Sequence, residues 1–520
     1  MAFPEAFAGG KKGFDIIVGN PPWDKTKFAD TDFFPQHHSN YRSLKNNEKA
    51  AVQKRLLDSA HVDAAYKTAQ REMEVINNYC KEAFPLNKGA GDGNLFRFFV
   101  ERNLGLIAAG GSLNYVLPSA LMFEDGSMAL RRHIFEYCQM PFFYSFENNK
   151  GIFQDVHRSY KFALMQIVNS APGNMLEEVI DTAFYVLDPS ELDNASRRIA
   201  YPLATLKALS PNQWALMELR DGDDLPLLQK CYSAYAALSP QWLDFRRELD
   251  MTNDKDLFIE KSTPDLLPLF EGKMIWQYSH AFETPQYWLD AQAFDKRLQS
   301  KELHRMAQDL VVPKADVAQH AAAVRYDREF VKLGFRTIAR DTDERTLIFA
   351  LLPKNCGSGH SMFVSKPKHY FLNSDGQVGV QAVSPLRLLF ALALFNSLPV
   401  DWIARQMIQI NVSQTYLYRL PMPQPTDAEI LANPDYTQLA KNALLLSLAA
   451  SWDDFAELAP LFKVQPKDVP QTAKAQDTLR AQNDKLVANL YGITDAELAH
   501  LLRSFKVMAN KRSEYLTLLH

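Results

Sequence analysis

Cysteine is scarce in this sequence, and its few cysteines lie far apart. Cys80, Cys138, Cys231 and Cys356 form no C-x-x-C pair. This spacing argues against zinc fingers and zinc ribbons, which need closely spaced ligands. Scattered thiols are typical of a reducing cytoplasm rather than of a disulfide-rich secreted chain. We therefore expect a cytoplasmic protein without a metal site.

Long hydrophobic runs are also missing. No stretch of about 18 uncharged apolar residues suggests a membrane span, and the start MAFPEAFAGGKKG lacks the apolar segment of a signal peptide. The richest stretch, Leu386 to Val400, contains Arg387 and Asn396 and is predicted to be a buried helix. We expect no membrane association.

Neither charge sign dominates, since the net charge is −4 over 520 residues. The composition, 47% apolar and 23% charged, is that of a soluble globular protein, and the length allows roughly two to four domains. A uniformly basic surface is excluded. Nucleic-acid binding is not, because Lys and Arg are needed only where phosphates lie.

The first part of the chain alternates between strand-like and helix-like segments. Phe14 to Val18 (FDIIV), ended by Gly19, is typical of a strand buried on both faces. Asn94 to Ala109 has helical spacing, with Gly110-Gly111 as a stop signal. Further on we predict strands at Leu113–Leu117, Phe142–Phe146 and Tyr160–Val168, and a helix at Ser127–Tyr137. Such alternation indicates an α/β layer with a mainly parallel sheet.

The remaining segments differ in character. Residues 24–90 are a polar insertion in which Asn46 to Lys81 has helical periodicity; a solvated helical pair and a lid or DNA-facing element are both compatible with it. Residues 171–240 are predicted to be a connector. Residues 241–425 are mixed and loop-rich, with strand-like pieces at Lys273–Trp276 and Thr346–Leu352, and end in a proline-rich stretch. Residues 426–520 are helical in pattern, notably Tyr436–Asp453 and Gln471–Asn489.

The strongest chemical signal is the tetrapeptide Asn20-Pro21-Pro22-Trp23, which directly follows the first strand. An exocyclic amine is a poor nucleophile because its lone pair is delocalised into the ring. The side-chain carbonyl of Asn20 and the backbone carbonyl of Pro21 can accept its two protons and favour a pyramidal nitrogen. Proline restricts φ and keeps that carbonyl aimed. Trp23 offers a face on which a flipped-out base can stack.

Four such residues can occur in any turn, but the preceding strand and the α/β pattern favour the functional interpretation. FDIIVGNPPW resembles motif IV, [DNS]-P-P-[YFW], of the amino-methyltransferases. Gly91 to Phe123 resembles the next conserved block of that family. Asn148 to Val168 resembles a later block in which a phenylalanine packs against the flipped base; Phe153 holds the matching position. Segments between Gly272 and Pro425 resemble the recognition region of the large type IIG-like enzymes.

The resemblance implies an adenine-N6 DNA methyltransferase of the restriction–modification or phage-defence kind, with S-adenosylmethionine as cofactor and double-stranded DNA as partner. It implies the second half of a Rossmann-like class I methyltransferase sheet in residues 1–170, a mixed α+β target-recognition domain in 241–425 and a helical C-terminal region in 426–520. The catalytic residues would be Asn20, Pro21, Pro22 and Trp23, and Phe153 would bind the base.

The family's glycine-rich cofactor loop, D-P-A-C-G-S-G, has no counterpart before Phe14. We therefore expect an upstream cofactor-binding segment or subunit, weak cofactor binding by this chain alone, and an unpaired apolar edge at Phe14 to Val18. Asp15, at the start of the strand, is only a weak cofactor candidate. Two later glycine-rich stretches, Gly89 to Gly93 and Cys356 to Gly359, are poor substitutes. The first follows no buried strand, and the second is interrupted by prolines and polar residues.

A basic series interleaved with acids lies near residue 340, and Arg336, Arg340 and Arg345 are its preferred DNA contacts. A solvated charged surface is the competing interpretation. Trp276, Tyr278, His280 and His360 are predicted to be packing or polar-network residues rather than metal ligands. No nuclease-like carboxylate set is evident.

Two other functions stay open at this stage. The chain could be a non-catalytic DNA-recognition or remnant subunit, which the missing cofactor loop favours. It could also methylate another amine or amide, such as cytosine N4, guanine in RNA or protein glutamine, since each needs two acceptors on an amine.

Overall fold

The computed structural model describes residues 3–8, 10, 12–88, 93–154, 156–158, 160–170, 173, 177–408 and 411–519. The chain forms a mixed α/β structure with two compact units, Met1–Leu225 and Pro226–His520. The division falls within the segment predicted to be a connector. Residues of that segment also contribute two strands to the first unit.

The first unit is built on a six-stranded sheet with the order β1-β2-β4-β3-β5-β6. Its strands are β1 Phe14–Gly19, β2 Ile107–Pro118, β3 Gln139–Glu147, β4 Lys161–Val168, β5 Val179–Val186 and β6 Ile199–Pro202. The strands predicted for this part of the sequence are therefore present: β1, β2 and β3 are longer than predicted, β2 by seven residues, whereas β4 begins one residue later than predicted.

The sheet is mixed rather than mainly parallel. Only β1 with β2 and β3 with β5 pair in parallel, whereas β4 is antiparallel to both of its neighbours and β6 is antiparallel to β5. The prediction was wrong because the described residues between β3 and β4 form the short 3-10 helix Asn148–Lys150 but no α-helix. The connection between them is short, so β4 returns antiparallel to β3 and lies between β3 and β2.

The two faces of this sheet are packed very differently. One face carries Leu113, Phe143 and Met165, all buried. The other face carries Asn114 and Gln166, which are hydrogen-bonded to each other and half-buried. Much of this second face is therefore open in the first unit, and it is called the open face below.

Strand β1 forms one edge of the sheet and pairs only with β2 among the described strands. Its Ile16 and Val18 side chains lie on the open face and are 64% and 77% exposed. The prediction of a strand buried on both faces was wrong, whereas the predicted apolar edge is present. Its outer side, which has no partner among the described strands, is a template for another strand.

The glycine pair predicted to stop a helix lies instead inside β2. Helix α4 ends at Leu104, and β2 begins at Ile107. A Cβ on Gly111 would lie 2.7 Å from the Phe14 carbonyl and 3.0 Å from that of Asp15. Glycine is therefore needed here because two strand backbones approach closely.

Helices α1 to α3 form the insertion, and α4 to α6 accompany the sheet. The helices are α1 Asp30–Phe33, α2 Asn46–Leu57, α3 Ala60–Ala83, α4 Leu95–Leu104, α5 Met128–Tyr137 and α6 Leu203–Leu209, with α7 Asp224–Ala234 at the division between units. Phe33, Phe34 and Tyr41 form the insertion's own small core, against which α2 and α3 pack. The predicted helical pair is thus present.

The second unit contains three smaller sheets. Their strands are β7 Phe245–Arg246, β8 Leu267–Phe270, β9 Tyr287–Leu289, β10 Lys332–Arg336, β11 Phe349–Leu352, β12 Gly357–Ser358, β13 Met362–Ser365, β14 Lys368–Leu372 and β15 Val378–Ala382. The orders are β11-β10-β13-β7, β12-β8-β9 and β14-β15. The strand predicted at Thr346–Leu352 is confirmed in its second half. The one predicted at Lys273–Trp276 is wrong: Gly272–Met274 is a 3-10 turn whose apolar residues are buried without strand pairing.

Helices complete the second unit. They are α8 Ala291–Leu310, α9 Pro385–Phe395, α10 Leu398–Arg405, α11 Gln414–Leu417, α12 Asp427–Ala432, α13 Pro434–Ala450, α14 Trp452–Phe455, α15 Ala473–Leu490, α16 Asp495–Leu502, α17 Lys506–Lys511 and α18 Ser513–Thr517. The buried helix predicted at Leu386 to Val400 is two helices, because Ser397 caps the second and Pro399 occupies its first turn.

Among the described residues, no single helix is long and apolar enough to cross a membrane; α9 and α10 meet that test only as a pair bent by 64°.

Candidate active site

The tetrapeptide predicted to be catalytic begins directly after β1. Asn20 and Pro22 are exposed, Pro21 is buried and Trp23 is half-buried. A Cβ on Gly19 would lie 3.1 Å from the Tyr115 ring, so glycine lets the strand pass this ring closely. Burial raises the pKa of the Tyr115 phenol, which accepts a hydrogen bond from Asn103. The phenol is therefore neutral at physiological pH and acts as packing beneath the turn.

Asn20 and Trp23 are joined within the turn. The indole Nε1–H of Trp23 donates a hydrogen bond to Oδ1 of Asn20 at 2.9 Å. Because indole nitrogen is a donor only, this contact requires the oxygen, not the amide nitrogen, to point toward the ring. The oxygen retains a second lone pair. The turn therefore holds an oriented acceptor that can still receive a substrate amine proton.

The Trp23 ring belongs to an aromatic cluster at one end of the open face. Its centroid lies 5.2 Å from that of Phe153 in an edge-to-face contact and 6.3 Å from that of Phe162 in a stacked one. Phe162 in turn stacks on Phe146 at 5.1 Å. The structure thus brings together Trp23 and Phe153, two residues that are 130 positions apart in the sequence.

The Trp23–Phe153 contact also limits where a base can stack. A base held between two parallel rings needs them about 7 Å apart, because aromatic carbons pack about 3.5 Å from each other. At 5.2 Å and edge-to-face, the two rings touch. The two rings therefore leave no room for a third flat ring between them unless Phe153 shifts; any other stacking surface would be another part of the Trp23 face.

Asn148 fixes the loop that carries Phe153. It is fully buried, and its Nδ2 donates to the carbonyls of Phe153 at 2.9 Å and Val156 at 2.8 Å. Its Oδ1 accepts the Phe153 N–H at 2.9 Å. Gly151, with φ +72°, makes the left-handed turn between them. The position of Phe153 is therefore set by a buried amide on the preceding turn.

The segment after Trp23 is tied to the start of helix α4. The carbonyl of Asp24 accepts the Leu95 N–H at 3.0 Å, and the Thr26 N–H donates to Gly93 at 2.9 Å. A Cβ on Gly93 would lie 2.3 Å from the Thr26 hydroxyl. Gly93 thus has a packing role at helix entry. Residues 89–92 of the glycine-rich stretch, and Ser159 of the later block, lie outside the described residues.

The described residues of this chain do not form a recognisable cofactor cradle. Asp15, the weak cofactor candidate, is exposed on β1. No described strand lies on the outer side of β1, and a glycine-rich strand-to-helix loop, which would place N–H groups toward a cofactor, is not found among the residues around it. The described residues around β1 therefore do not fit S-adenosylmethionine.

The second glycine-rich stretch is packed inside the second unit. Gly357–Ser358 forms β12, and both the N–H and the hydroxyl of Ser358 donate to Glu248 at 2.8 Å. Burial raises the pKa of the neighbouring Cys356 thiol to about 12. With its N–H group already bonded to a carboxylate, this stretch is structural.

The three arginines predicted to contact DNA lie in different surroundings. Arg340 is exposed and Arg336 is half-buried. Arg345 is only 2% exposed; its Nε donates to Asp401 at 2.7 Å, and a second donor binds the Asn396 carbonyl at 2.5 Å. The place of Arg345 argues against the predicted DNA contact, because its donors are already used in the interior. Arg336 and Arg340 stay predictions.

Of the aromatic and histidine residues predicted to pack or to join polar networks, Tyr278 and His280 do so, and His360 is exposed. Tyr278 is buried, and buried His280 bonds to Asp454 at 2.9 Å. Burial lowers the pKa of the His280 imidazole, although Asp454 opposes the shift. Across the described part of the chain, no group of three or more His, Cys, Asp or Glu side chains could hold a metal ion.

Sequence reasoning missed three residues that shape this site: Asn148, Phe146 and Phe162. The two phenylalanines were visible as strand residues, but their alignment on one face needs the register of β3 with β4, in which Phe146 faces Phe162. A polar residue five positions before Phe153 gave only a weak signal for Asn148.

No protein-family model matches this sequence, and no curated protein sequence matches it either. Solved structures that match this chain include restriction–modification enzymes. MmeI, a type IIL enzyme in complex with DNA, is 13% identical with a TM-score of 0.46, over 98% of this chain and 59% of MmeI. The type IIG endonuclease BpuSI is 11% identical with a TM-score of 0.25, over 92% of this chain and 54% of BpuSI. DrdV, in a DNA complex, is 10% identical with a TM-score of 0.37, over 84% of this chain and 44% of DrdV. The chain thus spans between 44% and 59% of the length of these proteins.

Proposed function

We propose that this chain is the base-binding and DNA-recognition part of an adenine-N6 DNA methyltransferase of a restriction–modification system. The observation that carries the proposal is the turn after β1. There an oriented amide oxygen, a buried proline and an aromatic cluster meet at the end of a strand. That combination suits a flat heterocycle with an exocyclic amine.

Each residue of the turn has a distinct task in this proposal. Asn20 Oδ1 and the Pro21 carbonyl accept the two amine protons, which draws the nitrogen lone pair out of conjugation with the ring. Trp23 stacks on the extruded base. S-adenosylmethionine, when bound, supplies the methyl group. Neither carbonyl is basic enough to keep the proton that the amine loses, so that proton passes to solvent.

The proposal includes a second polypeptide surface beside β1. Ile16 and Val18 are exposed on the open face, and the backbone edge of β1 is free of a described partner strand. Edges of this kind recruit another strand, and exposed apolar patches recruit a packing layer. We assign that role to a cofactor-binding segment or subunit, in agreement with the poor fit of the chain's own residues to the cofactor.

The direct test is methylation by the reconstituted enzyme. The chain is produced alone and together with the polypeptide encoded directly upstream, then incubated with S-adenosylmethionine and DNA, and the nucleosides are analysed by mass spectrometry. We expect N6-methyladenine only in the combined sample. In that sample Asn20→Ala should lower turnover by at least about 10²-fold, the effect of removing one preorganised hydrogen-bonding group, while DNA affinity is kept.

A matched control is Asn489→Ala, an exposed asparagine on α15, which should leave turnover unchanged. Trp23→Ala should weaken base binding by about 1–3 kcal/mol. DNA binding without methylation in the combined sample would favour a non-catalytic recognition or remnant subunit. N4-methylcytosine would redirect the proposal to another amine, and full turnover by Asn20→Ala would refute the role of Asn20.

A further inference from the structure

Helix α8 of the second unit has a one-sided distribution of charge. Its three acidic residues face inward and are paired. Asp295 receives two hydrogen bonds from Arg328 at 2.7 Å, Glu302 pairs with Lys368 at 2.9 Å, and Asp309 pairs with Lys366. No carboxylate of residues 291–310 is itself exposed; outside the helix, the N-cap residue Asp290 is exposed, and the exposed Asp256 pairs with Arg297.

The inner side of the helix is held by a buried cluster of charges. Glu302 and Asp327 are both inaccessible, and Lys368 bonds to both of them, to Asp327 at 2.7 Å. Arg246 and Arg305 complete the cluster, each contacting the two carboxylates. Burial alone would raise the pKa of Asp327. The surrounding cations, of which Arg246 has the largest effect, instead hold that pKa well below its usual range. Such a cluster fixes the orientation of α8, because rotation would leave charges unpaired in the interior.

The outer side carries a continuous exposed stripe of neutral and basic polar residues. They recur every three or four positions, the spacing at which helix neighbours line up: Gln292, Lys296, Gln299, Ser300, His304 and Gln308. From first to last this stripe is about 24 Å long at 1.5 Å per residue. Lys314 approaches it beyond the helix end, where its Nζ donates to the Ser300 hydroxyl at 3.0 Å.

We propose that this stripe of α8 is a DNA-contacting surface that lies in or along the major groove. The inference rests on the proposed function, which supplies DNA as the partner, and adds the element that meets it. A major groove about 12 Å wide admits one helix, and a rigid helix without exposed acids avoids repulsion from phosphates. Glutamine can pair with adenine edges and lysine with guanine edges or phosphates.

The test measures duplex binding by the full chain and two matched double variants. Lys296→Glu with Lys314→Glu reverses two charges on the stripe. Lys474→Glu with Lys485→Glu reverses two exposed charges on α15. Fluorescence anisotropy with a labelled random-sequence duplex is recorded from low to moderate salt. We expect at least about tenfold weaker binding by the stripe variant, and a salt slope smaller by about 1.8, because about 0.9 is lost per phosphate contact.

The α15 variant should bind as the wild type does. A photoreactive residue in place of Gln299 should crosslink to the duplex, whereas one in place of Lys485 should not. Equal binding by both double variants, with no crosslink from position 299, would overturn the α8 surface and leave the proposed function intact. If the wild-type chain binds no duplex at all, both proposals fall.

Discussion

The sheet of the first unit leaves apolar side chains exposed, whereas the interior of the second unit buries charged side chains. In the first unit, apolar side chains of β1 remain exposed on the open face. In the second unit, charged side chains such as Lys332, Glu248 and Asp401 are fully buried and paired. The interior of the second unit thus pairs its buried charges within itself, whereas the edge strand β1 of the first unit presents an apolar surface that another polypeptide can cover.

Removing a buried charge of the second unit should give the largest loss of unfolding free energy. Asp401 accepts from Arg345 at 2.7 Å and from Arg405 at 3.0 Å. Asp401→Ala should reduce the free energy of unfolding by about 3–5 kcal/mol, because it leaves two buried guanidinium groups without a counter-ion. Urea denaturation measures the change. Exposed Asp453→Ala should cost no more than about 0.5 kcal/mol; similar losses in the two variants would remove the contrast.

Truncating an apolar side chain should cost much more unfolding free energy on the packed face of the six-stranded sheet than on the open face, and this difference should be nearly as large. Leu113 on the packed face is 0% exposed, whereas Val18 on the open face is 77% exposed. Leu113→Ala should cost about 2–5 kcal/mol of unfolding free energy, and Val18→Ala at most about 0.5 kcal/mol. Thermal or urea unfolding of the chain by itself supplies both values. A large cost at Val18 would show that the open face is already covered in solution.

A buried carboxyl of the second unit should make stability depend on pH in a defined direction. Burial raises the pKa of Asp484 to about 6, against about 3.9 in an unfolded chain. The protonated form is thus favoured by folding, so its stabilising contribution is complete below pH 4 and is lost as the pH rises through 6. The contribution is about 2–3 kcal/mol.

Asp484→Asn tests this sign. The amide keeps an acceptor for the Leu398 N–H, which donates to the carboxylate at 2.7 Å, and it does not ionise. Measured by urea unfolding, the wild type should lose stability relative to the variant between about pH 4 and pH 7. An unchanged difference across that range would contradict the buried carboxyl's effect.

Local sequence patterns predicted much of the fold but not its long-range pairing. The strand at Phe14, the insertion helices and most C-terminal helices follow from periodicity. The antiparallel insertion of β4 does not, because pairing order depends on contacts distant in sequence. The strands β5 and β6 were assigned to a connector because they follow a polar stretch of chain.

The candidate site was predictable in its residues more than in its geometry. The tetrapeptide stands out from its sequence context and Phe153 from the family resemblance, and the structure places Trp23 and Phe153 in contact. The edge-to-face contact between these two rings and the role of buried Asn148 in holding Phe153 could not be predicted from the sequence. The burial of Arg345 could not be predicted either, because a series of basic residues has the same sequence pattern whether its side chains face water or a buried carboxylate.

The hydrogen bond from the Trp23 indole to Asn20 gives that ring a second duty. A phenylalanine in its place would keep an aromatic face but have no N–H, so the neighbouring amide could turn its nitrogen toward the ring and present a donor instead of an acceptor to an incoming amine. Proteins with a plain ring at this position must obtain their amide orientation elsewhere. In this chain the Trp23 side chain provides both the aromatic face and the hydrogen bond that orients the Asn20 amide.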